Sequence, residues 1–218
     1  MRLGRAAHCA ILEPESFAAR WGIWEGRRAG GAWEAYLSRL PPDAETLSAS
    51  EHEQVQAMRA AAFASPAARY LAGGRAEIQI YWHYRDRACK GRLDYIHPSL
   101  GIIDIKTTRD ASPRAFGAES WRRLYHGQAA WYADGHLAHC AERTSYTIIA
   151  IENIPPYIVS IYRIPNLLLD LGRDLYSDLL SRLIECEETG SWPGYLADEA
   201  DLEIPAWAQP REGDDDGF

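Results

Sequence analysis

The stretch Gly91–Thr108, GRLDYIHPSLGIIDIKTT, has the pattern of two β-strands joined by a short turn. β-Branched and polar residues alternate on both sides of the turn at His97–Gly101, and Gly and Pro bound the two runs. Asp104 and Lys106 are two residues apart, so on a strand their side chains leave the same face, which Asp94 on the partner strand can also reach. Burying two carboxylates and an ammonium group among isoleucines is costly unless they serve each other or a metal ion. The stretch therefore predicts a β-hairpin that carries a charged cluster.

Lysine is rare in this chain, which makes the lysine of the D-x-K tripeptide informative. Of the 23 Lys and Arg residues, only Lys90 and Lys106 are lysines. The simpler interpretation of D-x-K is an exposed ion pair on an edge strand, but such a pair would tolerate arginine. A lysine amine is compact and can exchange a proton, whereas a guanidinium stays protonated. The residue choice therefore favours a chemical role for Lys106.

The composition is that of an ordinary globular protein without a broadly basic surface. The 218 residues fit one domain with a sizeable core, and the net charge of −8 gives no general attraction to nucleic acid. Positive charge for a DNA partner must then be local. No stretch has the apolar length of a membrane span, and the first residues lack a cleavable signal pattern. The four cysteines show no C-x-x-C spacing, which argues against a zinc or iron–sulfur site and predicts a cytoplasmic location.

Hydrophobic periodicity and the positions of Gly and Pro predict the helices and strands. The predicted helices cover residues 2–12, about 32–40, a segment ending at Ala64, a short segment from Pro66 to Leu71, and about 120–134, before a long C-terminal helix. The predicted strands cover 76–84, 88–96, 101–108, 145–152 and 157–164, and 14–32 and 109–118 are expected to be irregular.

Two features of these helices can be checked directly. Ser48 or Ser50 is expected to cap the helix that ends at Ala64, with Glu51 or Glu53 near the capping-box position. In the long C-terminal helix, leucines recur at every fourth residue from Leu167 to Leu183, a pattern typical of a core-facing stripe.

The order of the elements predicts an α/β fold with a mixed central sheet of about five strands flanked by helices. We expect a single domain over 1–218, with a helical N-terminal part over about 1–75 and a core over 76–190. Residues 191–218 are expected to form a tail that first wraps and then frays.

Further polar residues stand on the elements around the hairpin. Taken one at a time, each has an ordinary explanation, such as a strand surface, a helix rim or a half-buried histidine. They are Glu77 in AEIQIYW, His8 on the first helix, and Gln128 and Tyr132 one helical turn apart, with Trp121 and Tyr125 extending that helix face backward.

In this order, these residues resemble the PD-(D/E)XK nuclease superfamily, and most closely the phage-type RecE-like exonucleases, whose catalytic domain shares its layout with RecB-type nuclease domains. The resemblance rests on LGRAAHCAILEPESF, LDYI, IIDIKTT and YHGQAAWY, with a weaker tail pattern GSWPGY…IPAWA, and covers nearly the whole chain. It implies a restriction-endonuclease-like core. One departure is Arg5, which stands after Gly4 where the family usually has Thr.

The resemblance implies a metal site. His8, Asp94 and Asp104 would be the ligands, and the backbone carbonyl of Ile105 would add one more. Oxygen ligands with one imidazole suit Mg²⁺, and Mn²⁺ as a substitute. A carboxylate-bound Mg²⁺ both activates water and neutralises the charge that develops on a phosphodiester.

The resemblance also implies roles for the other residues. Lys106 would position and help to deprotonate the attacking water and would stabilise charge on the phosphate. Gln128 and Tyr132 would hold the active site and the scissile strand, and Glu77 would be a supporting carboxylate near a second metal or Lys106. His52 lies in a polar helix face and does not match the family's histidine.

The expected activity is that of a Mg²⁺-dependent 5′→3′ exonuclease on linear double-stranded DNA, bacterial or phage-encoded, in phage-type homologous recombination. The expected partners are duplex DNA ends, a single-strand annealing protein, and further copies of the chain in a trimeric or tetrameric ring. Two alternatives stay open: a structure- or site-specific endonuclease, and a DNA-end-binding subunit with weak catalysis. The arginines expected to contact DNA, unless they are a solvated face, are Arg69, Arg75, Arg109, Arg114, Arg122 and Arg123.

Overall fold

The computed structural model describes residues 2–196 and 198–205 of the chain. The chain divides into two compact units, Met1–Ser177 and Asp178–Phe218, and the second begins within the last helix. All the residues expected to act in catalysis, metal binding or DNA contact belong to the first unit. In the described ranges, no helix has the length and hydropathy that crossing a membrane requires.

The elements follow one another in the order expected of a mixed α/β protein. The N-terminal part contains α1 (Arg2–Leu12), α2 (Pro14–Arg20), β1 (Trp21–Trp24), α3 (Gly31–Leu37), β2 (Glu45–Ser48), α4 (Ala49–Ala64) and a 3₁₀ turn (Pro66–Tyr70). The sheet region contains β3 (Arg75–Tyr84), β4 (Arg87–His97), β5 (Gly101–Thr108), α5 (Pro113–Arg122), α6 (Tyr125–Cys140), β6 (Tyr146–Glu152), β7 (Val159–Arg163) and α7 (Asn166–Thr189).

Five strands form the central sheet in the order β3-β4-β5-β6-β7, which confirms the predicted mixed sheet. Neighbouring strands are antiparallel except β5 and β6, which are parallel. A parallel pair needs a crossover connection, and here α5 and α6 supply it. The crossover packs α6 against β3 and β4, beside the D-x-K strand. The short strands β1 and β2 form a separate parallel pair.

The sheet has a core on each face. On β5, Ile103 and Ile105 belong to the core that includes residues of α1 and α4, whereas Ile102 belongs to the core that includes residues of α6. Asp104 and Lys106 alternate with these isoleucines, so they share the face of Ile102. The period-two pattern of the sequence therefore placed the charged pair correctly, on the side of α6.

Two segments that were expected to be irregular are ordered instead. Residues 14–24 form α2 and β1, and 109–118 contain the start of α5. Pro14 and Pro113 stand in the first turn of their helices, where a missing N–H breaks no helical hydrogen bond. The single helix expected over 120–134 is also wrong: α5 and α6 are separate, and Leu124 between them has a left-handed backbone, with φ 57° and ψ 36°.

The cap of α4 is Ser48, one of the two serines expected there. The Glu51 N–H donates to Ser48 Oγ at 3.1 Å, and the Ser48 N–H donates to the Glu51 carboxylate at 2.8 Å. This capping box satisfies two of the backbone donors at the helix start, one of them from the first turn, which has no acceptor within the helix.

The leucine stripe of α7 is not a core stripe. Leu169 and Gly172 are the buried residues of this helix, and a Cβ on Gly172 would meet the backbone carbonyl of His126 on α6. Periodicity identifies an apolar helix face but not whether another element covers it. The stripe residues that are at least 39% exposed are Leu167, Leu171, Leu179 and Leu183.

The predicted tail is described as far as residue 205. From 191 to 205 the described residues form no helix or strand. The part of the tail over 206–218 lies outside the described residues.

Candidate active site

The strands β4 and β5 separate where the charged residues lie. Only Tyr95–His97 of β4 pair with β5, and continuing the same register would place Asp94 opposite Asp104. Instead, Asp94 Oδ2 accepts a hydrogen bond from the Ile105 N–H at 2.9 Å. The carboxylate thus replaces the backbone acceptor that the parting of the strands removes.

Asp104 and Lys106 form a buried ion pair on β5. Asp104 is 1% exposed, and Lys106 Nζ lies 2.9 Å from its Oδ1 and 2.7 Å from its Oδ2. Burial, reinforced by the charge of Asp94, raises the pKa of Asp104 to about 6 against the opposing effect of Lys106. Burial lowers the pKa of Lys106, but the two carboxylates outweigh burial and raise it, so the amine is held protonated.

Glu77 lies opposite Asp94 and has a left-handed backbone, with φ 54°. The alternation of faces breaks at this point, because Leu93 packs in the core of α6 while Tyr95, two residues on, packs in the opposite core. A left-handed conformation costs a residue with a Cβ about 1–2 kcal/mol, and strain of this kind clusters at functional sites. Glu77 Oε2 also lies 2.8 Å from Arg92 Nε.

His8 reaches the cluster from α1. One turn earlier, Gly4 lets the helix approach β5 closely, since a Cβ there would lie 2.8 Å from Thr107 Oγ1. The His8 ring places Nε2 2.9 Å from Asp94 Oδ2 and Nδ1 3.3 Å from Glu77 Oε1. Burial lowers the pKa of His8, but its hydrogen bond to Asp94 and the nearby negative charges raise it overall. The surrounding carboxylates therefore favour the protonated form of the His8 ring.

Two tyrosines of α6 line the opposite side. Lys106 Nζ lies 4.8 Å from the centre of the Tyr125 ring, in cation–π range. Tyr132 lies over Gly91, where a Cβ would be 3.1 Å from the ring. Gln128 is half-buried on the same helix but is not among the described residues that line the cavity, so its role stays a prediction.

Trp121 and His52 are not part of this cluster of side chains. Trp121 belongs to α5, so the expectation that it extends the helix face of Gln128 is wrong. Its ring stacks on His126 with centroids 4.5 Å apart and planes at 10°. His52 is on α4 with its ring centroid 5.9 Å from that of Phe17.

The cluster opens into a cavity of about 1050 Å³, the active-site cavity. It combines acidic and basic groups, because several of its arginines pair with carboxylates: Arg20 with Glu13 at 2.6 Å and Arg5 with Glu45 at 2.6 Å. Sequence reasoning missed these arginines and Arg92, although Arg92 stands only two residues before Asp94. The lining residues that bear charge are Arg5, His8, Glu13, Arg20, Asp43, Glu45, Glu77, Arg92, Asp94, Lys106 and Arg123.

Of the six arginines expected to contact DNA, Arg123 lines the active-site cavity, where its Nε lies 2.6 Å from Glu119 Oε1. Arg75 lines a different cavity of about 630 Å³ beside the turn at His97–Gly101. Arg69 lies 4.9 Å over the ring of Tyr70. The other three are exposed, and their contact with DNA stays a prediction: Arg109, Arg114 and Arg122.

The donor set suits a hard divalent cation, because the carboxylates of Asp94 and the buried Asp104 converge with the His8 imidazole. The side chains nevertheless bond to one another. Within residues 2–196 and 198–205, no three His, Cys, Asp or Glu side chains are arranged to enclose an ion. For His8 Nε2 and Asp94 Oδ2, which are 2.9 Å apart, to bind one ion together, the proton between them would have to leave.

Comparisons with known proteins agree with the fold. The family described as a PDDEXK-like domain of unknown function (DUF3799) matches residues 1–204. The solved structure of a presumed exonuclease from Eubacterium rectale is similar in fold, with a TM-score of 0.55 and 14% sequence identity, over 79% of this chain and 68% of that one. The comparison with curated proteins found no match.

Proposed function

Because the chain belongs to the PDDEXK-like family (DUF3799), we propose that it is a metal-dependent nuclease that acts as a 5′→3′ exonuclease on linear double-stranded DNA. The observation that carries the proposal is the D-x-K strand at the floor of the active-site cavity. There Lys106 is pinned to the buried Asp104, and Asp94 is fixed by the Ile105 N–H at 2.9 Å. A structural ion pair would not need a third carboxyl group and a histidine at the same point.

His8, Asp94 and Asp104 would hold the metal, with Mg²⁺ as the expected ion and Mn²⁺ as a substitute. When bound, such an ion supplies Lewis-acid activation of water and neutralises charge on the phosphate. Lys106 donates hydrogen bonds to the non-bridging phosphate oxygens and orients the attacking water. Its raised pKa suits this role, because a protonated amine stabilises the charge that develops at phosphorus.

The other cavity residues position this apparatus. Glu77 holds His8 and Arg92 in place, at 3.3 and 2.8 Å. Tyr125 holds the Lys106 ammonium from the side, and Tyr132 borders the space that the scissile strand would occupy. Arg92 and Arg123 also line the cavity, each beside a glutamate, so DNA phosphates would have to compete with Glu77 and Glu119 for these guanidinium groups.

An exonuclease is favoured over an endonuclease by the name of the similar Eubacterium rectale protein, a presumed exonuclease. The experiment is to incubate the protein with Mg²⁺ and either linear or closed circular duplex, with label at the 5′ or the 3′ end of the linear form. We expect degradation of linear duplex only, with early release of the 5′ label. Cleavage of the circle would indicate an endonuclease, and binding without cleavage a DNA-end-binding subunit.

The variant that tests the site in this assay is Lys106→Ala, which should bind the linear duplex without degrading it. The control variant is Asp174→Asn, because Asp174 is an exposed carboxylate of α7, and it should degrade the duplex at the wild-type rate. Equal activity in the wild type and Lys106→Ala would refute the assignment of the site.

We also propose the setting in which the enzyme acts. An acidic exonuclease stays on DNA most simply as a closed ring, so we propose a trimer or tetramer, acting in the cytoplasm in phage-type recombination with a single-strand annealing protein as partner. Light scattering at micromolar concentration tests the ring, and a monomer would refute it. Co-elution with such an annealing protein on DNA tests the partner.

A further inference from the structure

The link between α5 and α6 presents an unusual surface beside the active-site cavity. Trp121 is 54% exposed and Leu124 is 44% exposed, and Arg122 next to Trp121 is exposed as well. Arg123 and Tyr125, which are interleaved with these residues, line the cavity. The left-handed backbone of Leu124 is what turns the chain here, at a cost of about 1–2 kcal/mol. The turn thus exposes Trp121, Arg122 and Leu124 to solvent and directs Arg123 and Tyr125 into the cavity lining.

The Trp121 ring is held as a flat plate. One of its faces stacks on His126, which is 6% exposed, with an angle of 10° between the planes. His126 precedes the small buried residues Gly127, Ala129 and Ala130 of α6. It belongs to the same helical turn as Tyr125. Trp121 therefore has a fixed orientation and an exposed part. The residue on which it stacks, His126, directly follows Tyr125, whose ring contacts Lys106.

We propose that Trp121 is a stacking platform for an unpaired base of the DNA strand whose phosphate enters the active-site cavity. The inference rests on the proposed function, since it takes DNA as the ligand, and it adds a single-stranded segment to the substrate at the site. Aromatic plates next to basic side chains are what single-stranded nucleic acid recognises: bases stack on the ring while phosphates lie against the arginines. Arg122, which is exposed next to Trp121, provides the charge complementarity, and Arg123 and Tyr125, which line the cavity on either side of Leu124, provide the continuity.

The experiment measures binding in chelator, so that hydrolysis does not enter. The probe is a labelled single-stranded oligothymidylate, compared by fluorescence anisotropy with strands in which a single abasic site is moved one nucleotide at a time. At one position, the abasic site should weaken binding to the wild type about 5- to 150-fold, the equivalent of one stacked base. Trp121→Ala should bind all the strands alike, and Trp121→Phe should keep most of the preference.

Two further variants separate base stacking from charge and from general surface effects. Tyr81 is 57% exposed on β3 and lies outside the cavity lining, so Tyr81→Ala should retain the wild-type preference. Arg122→Gln should reduce the slope of log K against log salt by about 0.7, the value for one phosphate contact on a single strand, whereas Trp121→Ala should leave the slope unchanged.

The platform is refuted if no abasic position weakens binding to the wild type, or if Trp121→Ala keeps the preference. The proposed function is tested apart from it by hydrolysis of linear duplex by the wild type in Mg²⁺. Hydrolysis without a base preference would remove the platform and leave the nuclease, whereas absence of both DNA binding and hydrolysis would remove both.

Discussion

Asp104→Asn should make the stability of the protein less sensitive to pH. Asp104 is 1% exposed, and burial together with the charge of Asp94 raises its pKa from 3.8 to about 6. A carboxyl group with a raised pKa binds its proton more tightly in the folded protein than in the unfolded chain. Its contribution to stability therefore falls as pH rises from about 4 to about 6, and the whole loss is present above that range.

The magnitude follows from the size of the shift. About two pKa units at about 1.36 kcal/mol each give roughly 3 kcal/mol in all, of which about 2 kcal/mol falls between about pH 4.5 and about pH 7.5. The free energy of unfolding of Asp104→Asn minus that of the wild type should rise by this amount across the interval. Any constant effect of the amide on packing or on Lys106 cancels in that comparison. For a chain of this size the change is worth roughly 4–8 °C in Tm.

The assay is urea unfolding in chelator at a series of pH values, for both proteins. Asp110→Asn is the control of opposite sign, because hydrogen bonds from Ser112 lower the pKa of this exposed carboxyl group. Because both pKa values of Asp110 lie at or below about 3.8, its difference from the wild type should stay nearly flat between about pH 4.5 and about pH 7.5 and fall with rising pH only below about pH 4. A difference for Asp104→Asn that is flat or falls with pH would show that Asp104 is not a desolvated carboxylate, and the reasoning would be wrong.

Three further outcomes are expected. Lys106→Ala should lower single-turnover hydrolysis at least ~100-fold with DNA binding intact, and Lys106→Arg should fail nearly as badly because a guanidinium is too broad and stays protonated; near-normal turnover would contradict the role. His8→Ala should weaken Mg²⁺ binding, measured by calorimetric titration, and His52→Ala should leave it unchanged. Equal losses of affinity would mean that the wrong histidine was chosen. Gly172→Ala should lower the free energy of unfolding by about 1–3 kcal/mol, measured by urea unfolding, because its Cβ would meet a backbone carbonyl of α6. Gly117→Ala, with open space around it in the described structure, should be neutral or slightly stabilising, and equal behaviour of the two would disprove the packing argument.

The hairpin could be predicted because its information is local. Period-two alternation with Gly and Pro at the ends placed β5 at Gly101–Thr108, as observed, and placed Asp104 and Lys106 on one face. Gly4 and His8 are four residues apart on a predicted helix, so they lie one turn apart on the same helix face. Such features need no knowledge of what packs against them.

Other parts depend on long-range contacts that no local pattern encodes. The exposed leucines of α7 have the periodicity of a core stripe, and only the packing of Gly172 on α6 shows which face is buried. Glu77 and Leu124 have left-handed backbones, which residue types such as Glu and Leu rarely adopt. The sequence therefore carried no signal for the break in the alternation of faces at Glu77 or for the division of α5 from α6. The arginine at 92 was missed because its partner Glu77 is on another strand.

The parting of β4 from β5 explains why the site lies where it does. In a closed sheet, a backbone carbonyl of β4 would take the place that the Asp94 carboxylate has beside the Ile105 N–H. With the strands apart, the Asp94 carboxylate binds the Ile105 N–H and His8 of α1 on one side, while Lys106 reaches Tyr125 of α6 on the other. The gap costs backbone hydrogen bonds, and the Asp94 carboxylate supplies one missing partner, the acceptor for the Ile105 N–H. A residue expected to bind the metal ion thus also satisfies the backbone of the opened sheet, so replacing Asp94 should disturb the fold at this point as well as the site.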